Sequence, residues 1–214
     1  MPKNVGLSQA MSARLCHDLA GSIGTIDNCL GLVDHDDATI AQKAKNLASE
    51  ESSNLVSQIK FFRSAYGLSD GEASMSLVNM AKLLNDFFKN TQVQLNLHFE
   101  TGLIYIEAQL AKSAICLAAI VSENISYSGV IDFYLNKDQD SPVRLLGNGN
   151  NLILKDDHLE VIQGKLRQAV NVRNCREHYI NKMCANRGYK VLAKKNTGAI
   201  EYKVPIINNN FLNY

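Results

Sequence analysis

The sequence predicts an α+β fold, in which an N-terminal antiparallel helical hairpin precedes an α/β sandwich of strands layered on helices. Two observations carry that reading. The first 66 residues hold two long segments with apolar positions at helical spacing, separated only by the polar turn Asp34-His35-Asp36-Asp37. Beyond the breaker-rich stretch Gly67-Leu68-Ser69-Asp70-Gly71, short alternating strand patterns interleave with helical ones.

The first helix is expected over residues 7–34, with Leu15, Leu19, Ile23, Ile26, Leu30 and Val33 forming one buried stripe. Asp37 is placed to cap a second helix over 38–66, whose stripe is Leu47, Leu55, Ile59 and Phe62. A four-residue turn makes the two helices antiparallel neighbours. One hairpin cannot enclose a core, which makes a homodimer closing a four-helix bundle the natural solution. After 67–71, the candidate linker, helices are expected over 78–89, 107–126, 159–170 and 172–186. Strands are expected over 93–99, 129–135, 142–147, 189–193 and 199–205. The division implied is residues 1–70 and 71–214, and the one biased tract is Asn208-Asn209-Asn210.

Composition narrows the classes of function. A net charge of +1 gives no electrostatic reason to expect nucleic acid or an anionic membrane as partner. No apolar run approaches the roughly 18 residues of a membrane span, and the first residues carry no signal-peptide apolar region. A cytoplasmic location is expected. The five cysteines are odd in number and form no Cys-x-x-Cys pair, which argues against a disulfide framework and a structural zinc site. Cys175, His178 and Cys184 lack a fourth ligand, and no metal site is expected. Gly147-Asn148-Gly149-Asn150 has neither Walker-A nor dinucleotide spacing and reads as a turn at a strand end.

The chemistry concentrates at Leu15-Cys16-His17-Asp18-Leu19. His17 lies two residues from Leu15 and two from Leu19, which at about 100° per residue turns it away from the apolar stripe. Ala20, Gly21 and Gly24 follow at three, four and seven residues and share its face. Two glycines within a helix cost roughly 1 kcal/mol each relative to alanine. Two explanations compete: small residues admit a close-packed partner, or the glycines mark a helix end or bend. Asp18 is adjacent to accept a hydrogen bond from the His17 Nδ1–H, and Arg14, one turn back, is either a residue that steers an acidic partner or a solvated surface arginine. His35, His98, His158 and His178 are expected to be structural or solvated.

Ser12-Ala13-Arg14-Leu15-Cys16-His17-Asp18-Leu19, followed by Ile23-Gly24 and Ile26-Asp27-Asn28, resembles the phospho-acceptor helix of sensor histidine kinases. More narrowly it resembles the ChpT-type histidine phosphotransferases of the alphaproteobacterial cell-cycle phosphorelay. Lys60-Phe61-Phe62-Arg63-Ser64-Ala65-Tyr66-Gly67 is similar to that family's signature at the end of its second helix, and the likeness continues weakly through 110–124 and 152–165. The resemblance implies that His17 relays a phosphoryl group from the receiver domain of a hybrid histidine kinase to response regulators, with His17 and Asp18 as the catalytic pair. Arg14, Ala20, Gly21 and Gly24 would then dock the receiver. It further implies that residues 71–214 resemble a degenerate histidine-kinase ATP-binding (Bergerat) domain. In such kinases, asparagines on one helix hold magnesium. Here those places fall on Cys116 and Ile120, which are not hard oxygen ligands, and no Asp-x-Gly-x-Gly sequence is present to read adenine. No cofactor is therefore expected on this chain, and Mg²⁺ is expected on the partner receiver. The runner-up functions are a divergent ATP-binding histidine kinase and a non-catalytic docking protein for receivers. Two departures from the family stand out. Ser22 replaces a frequent proline, which predicts a straighter helix. Gly21 replaces a side chain that would hold an attacking water, which predicts poor phosphatase activity.

Overall fold

The structure, a computed structural model, describes residues 6–67, 73–138, 140–154, 156–165 and 168–206. Residues 68–71 of the expected linker, and the asparagine tract at 208–210, lie outside the described residues.

Helix α1 (Leu7–Leu30) and helix α2 (Ala38–Tyr66) pack as the expected hairpin. Asp37 caps α2, accepting from the backbone N–H of Thr39 at 2.7 Å and of Ile40 at 3.4 Å. Helix α1 ends at Leu30, short of residue 34, where residues 31–34 turn. It runs unbroken through Gly21 and Gly24, so neither glycine marks an end. The stripe expected to be buried is only partly sheltered within one chain. Leu15 and Leu19 pack against the main core, but Ile23 is 54% exposed and Leu30 57%. The buried hairpin positions away from the α/β layer are small instead: Ser22, Cys29, Ala41 and Ala44. Small residues let the two axes close up and turn larger side chains outward. Ser22 Oγ donates to Glu51 across the pair at 2.6 Å.

The remaining elements form two layers. A short strand β1 (Ser74–Ser76) pairs antiparallel with β3 (Tyr105–Glu107), on either side of helix α3 (Leu77–Phe88) and strand β2 (Gln92–Phe99). Helix α4 (Ala108–Asn124) then crosses over to β4 (Ser128–Leu135), which lies parallel to β2. Antiparallel β5 (Val143–Asn148), helix α5 (Asp156–Ile162), helix α6 (Cys175–Ala185), β6 (Leu192–Asn196) and β7 (Ala199–Val204) complete a sheet of order β2-β4-β5-β7-β6. Three expectations are corrected. Strands β1 and β3 were not foreseen. The strand expected at 189–193 lies at 192–196, with Tyr189 making only an isolated bridge to Ile206. The helix expected over 159–170 stops at Ile162, where a turn follows with Gly164 at φ +70°.

Alternation along the strands sorts the sheet's faces. Ile131, Phe133, Leu145, Ile200 and Tyr202 turn inward onto α4, which is buried on every side from Leu110 to Ser122. Gly147 is required by this approach: a Cβ there would lie 2.5 Å from Val121 Cγ1. The hairpin joins this core through the end of α2. Phe61 is fully buried and stacks on Phe87 of α3 at 3.8 Å between ring centres. Lys112 of α4 donates through Nζ to the carbonyl of Gly67, and Cys116 donates through Sγ to that of Ala65 at 3.2 Å, tying off the helix end.

The outward face of the sheet is polar. Asp132 accepts from Asn96 at 3.0 Å and faces His98 Nε2 at 3.1 Å, while Arg144 donates to Glu201 at 2.5 Å and lies over the Tyr134 ring. Burial alone would raise the Glu201 carboxyl; Arg144 and Lys203 outweigh it and hold the group below its ordinary value of 4.5. A depressed carboxyl contributes stability that is complete above the unfolded pKa and is lost as pH falls through the folded one. Arg144→Gln is accordingly expected to flatten the decline of the thermal midpoint below pH 4.5, measured by calorimetry across acid buffers.

Candidate functional site

His17 projects from the middle of α1 with 82% of its side chain exposed. Ala20, Gly21 and Gly24 are exposed on the same helix, and a Cβ built at either glycine would meet nothing within 4 Å. No packing inside the chain requires those glycines.

Asp18 turns the other way, toward the α/β layer, with 18% of its side chain exposed. Arg14 Nε lies 3.1 Å from its Oδ1 and 3.2 Å from its Oδ2, and Arg176 Nη2 of α6 donates to Oδ2 at 2.5 Å. Both guanidiniums also donate to one oxygen, Oε1 of Glu123 on α4. Two cations and two anions from three helices thus close a ring, Arg14–Asp18–Arg176–Glu123. Burial penalises the Arg176 charge, but the surrounding anionic groups, Glu123 and Asp18 among them, raise its pKa further and keep it protonated.

Tyr127 donates to the same Glu123 oxygen at 3.0 Å. It and Ser126 carry φ of 54° and 56°, a left-handed pair after α4 that folds the tyrosine back over the helix end. Left-handed backbone costs a non-glycine residue roughly 1–2 kcal/mol, and the phenol's bond into the ring offsets part of it. Burial, then the Glu123 carboxylate, push the Tyr127 hydroxyl above the ordinary tyrosine range.

The sequence leads us to expect a hydrogen bond from the His17 Nδ1–H to Asp18. His17 Nδ1 stands 3.5 Å from Asp18 Oδ1, within ion-pair reach but longer than a well-formed N–H···O bond. Beside it opens a cleft of about 310 Å³, bounded by His17, Gly21, Phe62, Phe87, Tyr127 and Arg176. Among the sequence candidates, His17, Ala20, Gly21 and Gly24 therefore share an open face. Asp18 and Arg14 sit beneath it, and Arg14 is engaged by two carboxylates of its own chain rather than turned to solvent. Arg176, Glu123 and Tyr127 were not singled out from sequence; they come from positions 109–158 residues away from their partners on α1 or from an unusual backbone turn.

Cys116 and Ile120 are each 1% exposed inside α4, where neither meets solvent. Of the other four histidines, His35 accepts from the Asp37 N–H at 3.0 Å, His98 stacks on Tyr134, and His158 Nδ1 lies 3.0 Å from Glu177, while His178 Nε2 is buried with no hydrogen-bond partner among the described residues. Gly147 and Asn148 are the last paired residues of β5, and Gly149–Asn150 leave the strand, with the Gly149 N–H donating to the Gly198 carbonyl at 3.1 Å. Among the described residues no group of three or more His, Cys, Asp or Glu side chains is arranged to hold a metal, and no helix is long and apolar enough to cross a membrane.

No protein-family model matches the sequence, and no curated protein is significantly similar to it. Solved structures are similar to it. A bacterial phosphotransferase superposes with a TM-score of 0.79 over 92% of this chain and 95% of its own, at 18% identity. The chain shares that phosphotransferase's fold. Lower likenesses are to the Acinetobacter baumannii histidine kinase AdeS, at a TM-score of 0.49 and 12% identity over 91% of this chain and 98% of its own. The histidine kinase domain of the Erythrobacter litoralis blue-light activated kinase EL346 follows at 0.45 and 10% identity, over 91% and 96%.

Proposed function

We propose that this chain is a histidine phosphotransferase, in which His17 takes a phosphoryl group from a receiver-domain aspartate of a hybrid histidine kinase and passes it to response regulators. The observation that carries this reading is an unbroken helix presenting an open imidazole, flanked by small residues, with a carboxylate held 3.5 Å from Nδ1. The phosphotransferase fold supports it.

The step balances without a cofactor on this chain. The Nε2 lone pair of a neutral His17 attacks the aspartyl phosphate in line. The N–P bond forms as the P–O bond to the aspartate breaks, and the carboxylate leaves with the electron pair. Asp18 faces the Nδ1–H and offsets the positive charge that develops on the ring. Positioning supplies most of the rate, and Mg²⁺ belongs to the receiver. Residues 1–70 form the dimerisation and transfer part in this reading, and residues 71–214 a nucleotide-free support. Half-exposed Ile23, Leu30, Leu47 and Val56 on the hairpin favour a homodimer that covers them in a four-helix bundle.

The decisive experiment is transfer of radiolabelled phosphoryl from a phosphorylated hybrid-kinase receiver, with ATP alone as control and sedimentation to give the mass. Label from the receiver only, on a dimer, is expected. Label from ATP alone makes the chain a kinase, and receiver binding without label makes it a docking protein.

The glycine face gives a second expectation. Gly24→Ala should raise the unfolding free energy by about 0.5–1 kcal/mol, since the methyl meets open space on a helix. It should also slow transfer by crowding the receiver. Faster or equal transfer in single-turnover kinetics would remove Gly24 from the docking surface.

A further inference from the structure

Arg176 is an unusual residue to find where it is. Its side chain is 7% exposed, its two terminal nitrogens bond Asp18 and Glu123, and its Nε has no hydrogen-bond partner. Burying a guanidinium costs several kcal/mol unless the geometry returns it, and an apolar residue of similar volume would serve packing as well or better. The contact with Asp18 is what distinguishes arginine here. Asp18 directly follows His17 in α1, and neighbouring helical positions point about 100° apart. Left to itself, the Asp18 carboxylate would be free to rotate away from His17. Arg14 alone does not fix it, because its Nε reaches both carboxylate oxygens almost equally, at 3.1 and 3.2 Å. Arg176 breaks that symmetry by taking Oδ2 at 2.5 Å, which leaves Oδ1 as the oxygen facing His17 Nδ1.

We infer that Arg176 is a positioning residue for the transfer reaction: from α6 it orients the Asp18 carboxylate, and through it the tautomer and setting of the His17 ring. Glu123 accepts from Arg176 in turn, and Tyr127 donates to the same Glu123 oxygen. The α/β layer, on this account, supplies part of the acceptor itself. The inference rests on the phosphotransferase reading above.

The test uses the full chain. Arg176→Gln alone would leave carboxylates in excess in the ring, so it is combined with Glu123→Gln, which keeps the ring's charge balanced and protects the fold. Three quantities are measured: thermal midpoint, single-turnover transfer from a phosphorylated receiver, and the ¹⁵N shifts of the His17 ring, assigned against His17→Gln. The double variant is expected to melt near wild type, to transfer about tenfold more slowly or worse, and to show ring shifts moved toward the mixed tautomer of free imidazole. Arg176→Lys, which keeps the cation but not the two-armed reach, should fall between the two. Transfer within about twofold of wild type in a folded double variant overturns the inference, and so does a slow variant whose ring shifts are unchanged. Should the double variant not fold, the same readings on Arg176→Lys decide: wild-type rate and shifts overturn it, and a joint change in both upholds it. A wild-type chain that takes no label from a competent receiver refutes the phosphotransferase reading itself, while the ring shifts still report on Arg176.

Discussion

Replacement of His17 by glutamine is expected to abolish phosphoryl uptake, a loss of at least about 10⁴-fold, without moving the thermal midpoint. The two halves of that expectation have separate causes. The amide nitrogen of glutamine has no available lone pair, so no N–P bond can form. The imidazole, 82% exposed, makes one contact of 3.5 Å and buries little surface, so its removal leaves the fold as it was. Label on wild type should be lost in acid and survive base, as a phosphoramidate does. Label that persists on His17→Gln, or that base removes, would place the acceptor on another residue.

Phe61→Ala is expected to have the largest effect on stability, about 3–5 kcal/mol by urea denaturation. Its ring is wholly buried, stacked on Phe87 at 17° between planes and met edge-on by Phe62 at 6.1 Å. It belongs to α2, whereas Phe87 belongs to α3, so the cavity would open at the joint between hairpin and sheet layer rather than within either. Transfer should therefore weaken as well, since the ring around Asp18 depends on α1 and α6 staying in register. Phe61→Leu should recover most of the loss, and a cost under about 1 kcal/mol for the alanine variant would show that the joint is anchored elsewhere.

The hairpin was legible because its cues are local. Apolar spacing, the turn at Asp34–Asp37 and the Asp37 cap all act within a few residues, and α2 spans the interval they mark. The core strands β4, β5 and β7 announced themselves by alternation, which follows from facing α4 on one side and water on the other. Strands β1 and β3 did not, being three residues each, too short for any period to register. Strand β6 was misplaced because three of its residues, Lys194-Lys195-Asn196, are polar and exposed at the sheet's edge, while Tyr189–Val191 lie outside the regular pairing. Helical spacing placed the stripe of α1 correctly on one face yet misjudged its shelter, because small residues, not the leucines, fill the contact with α2. At the site, periodicity sufficed to turn His17 outward. It gave no hint that Asp18 meets Arg176, since an ion pair across the fold leaves no trace in local sequence. The nearest cue was the charged pair Arg176-Glu177, both buried on a helix of mostly polar composition.

The ring around Asp18 also sets an order in time. Asp18 and Arg176 are separated by 158 residues and Arg14 and Glu123 by 109, whereas the hairpin is complete by Tyr66. A ribosome adding about 5–20 residues per second needs roughly eight to thirty seconds to travel from the first of these partners to the last. Once the hairpin is complete the nascent chain displays its histidine, but the neighbouring carboxylate has only Arg14 to hold it. Maturation of the site therefore waits on the last third of the chain, and a ribosome-bound fragment ending before α6 would carry the imidazole without its full setting.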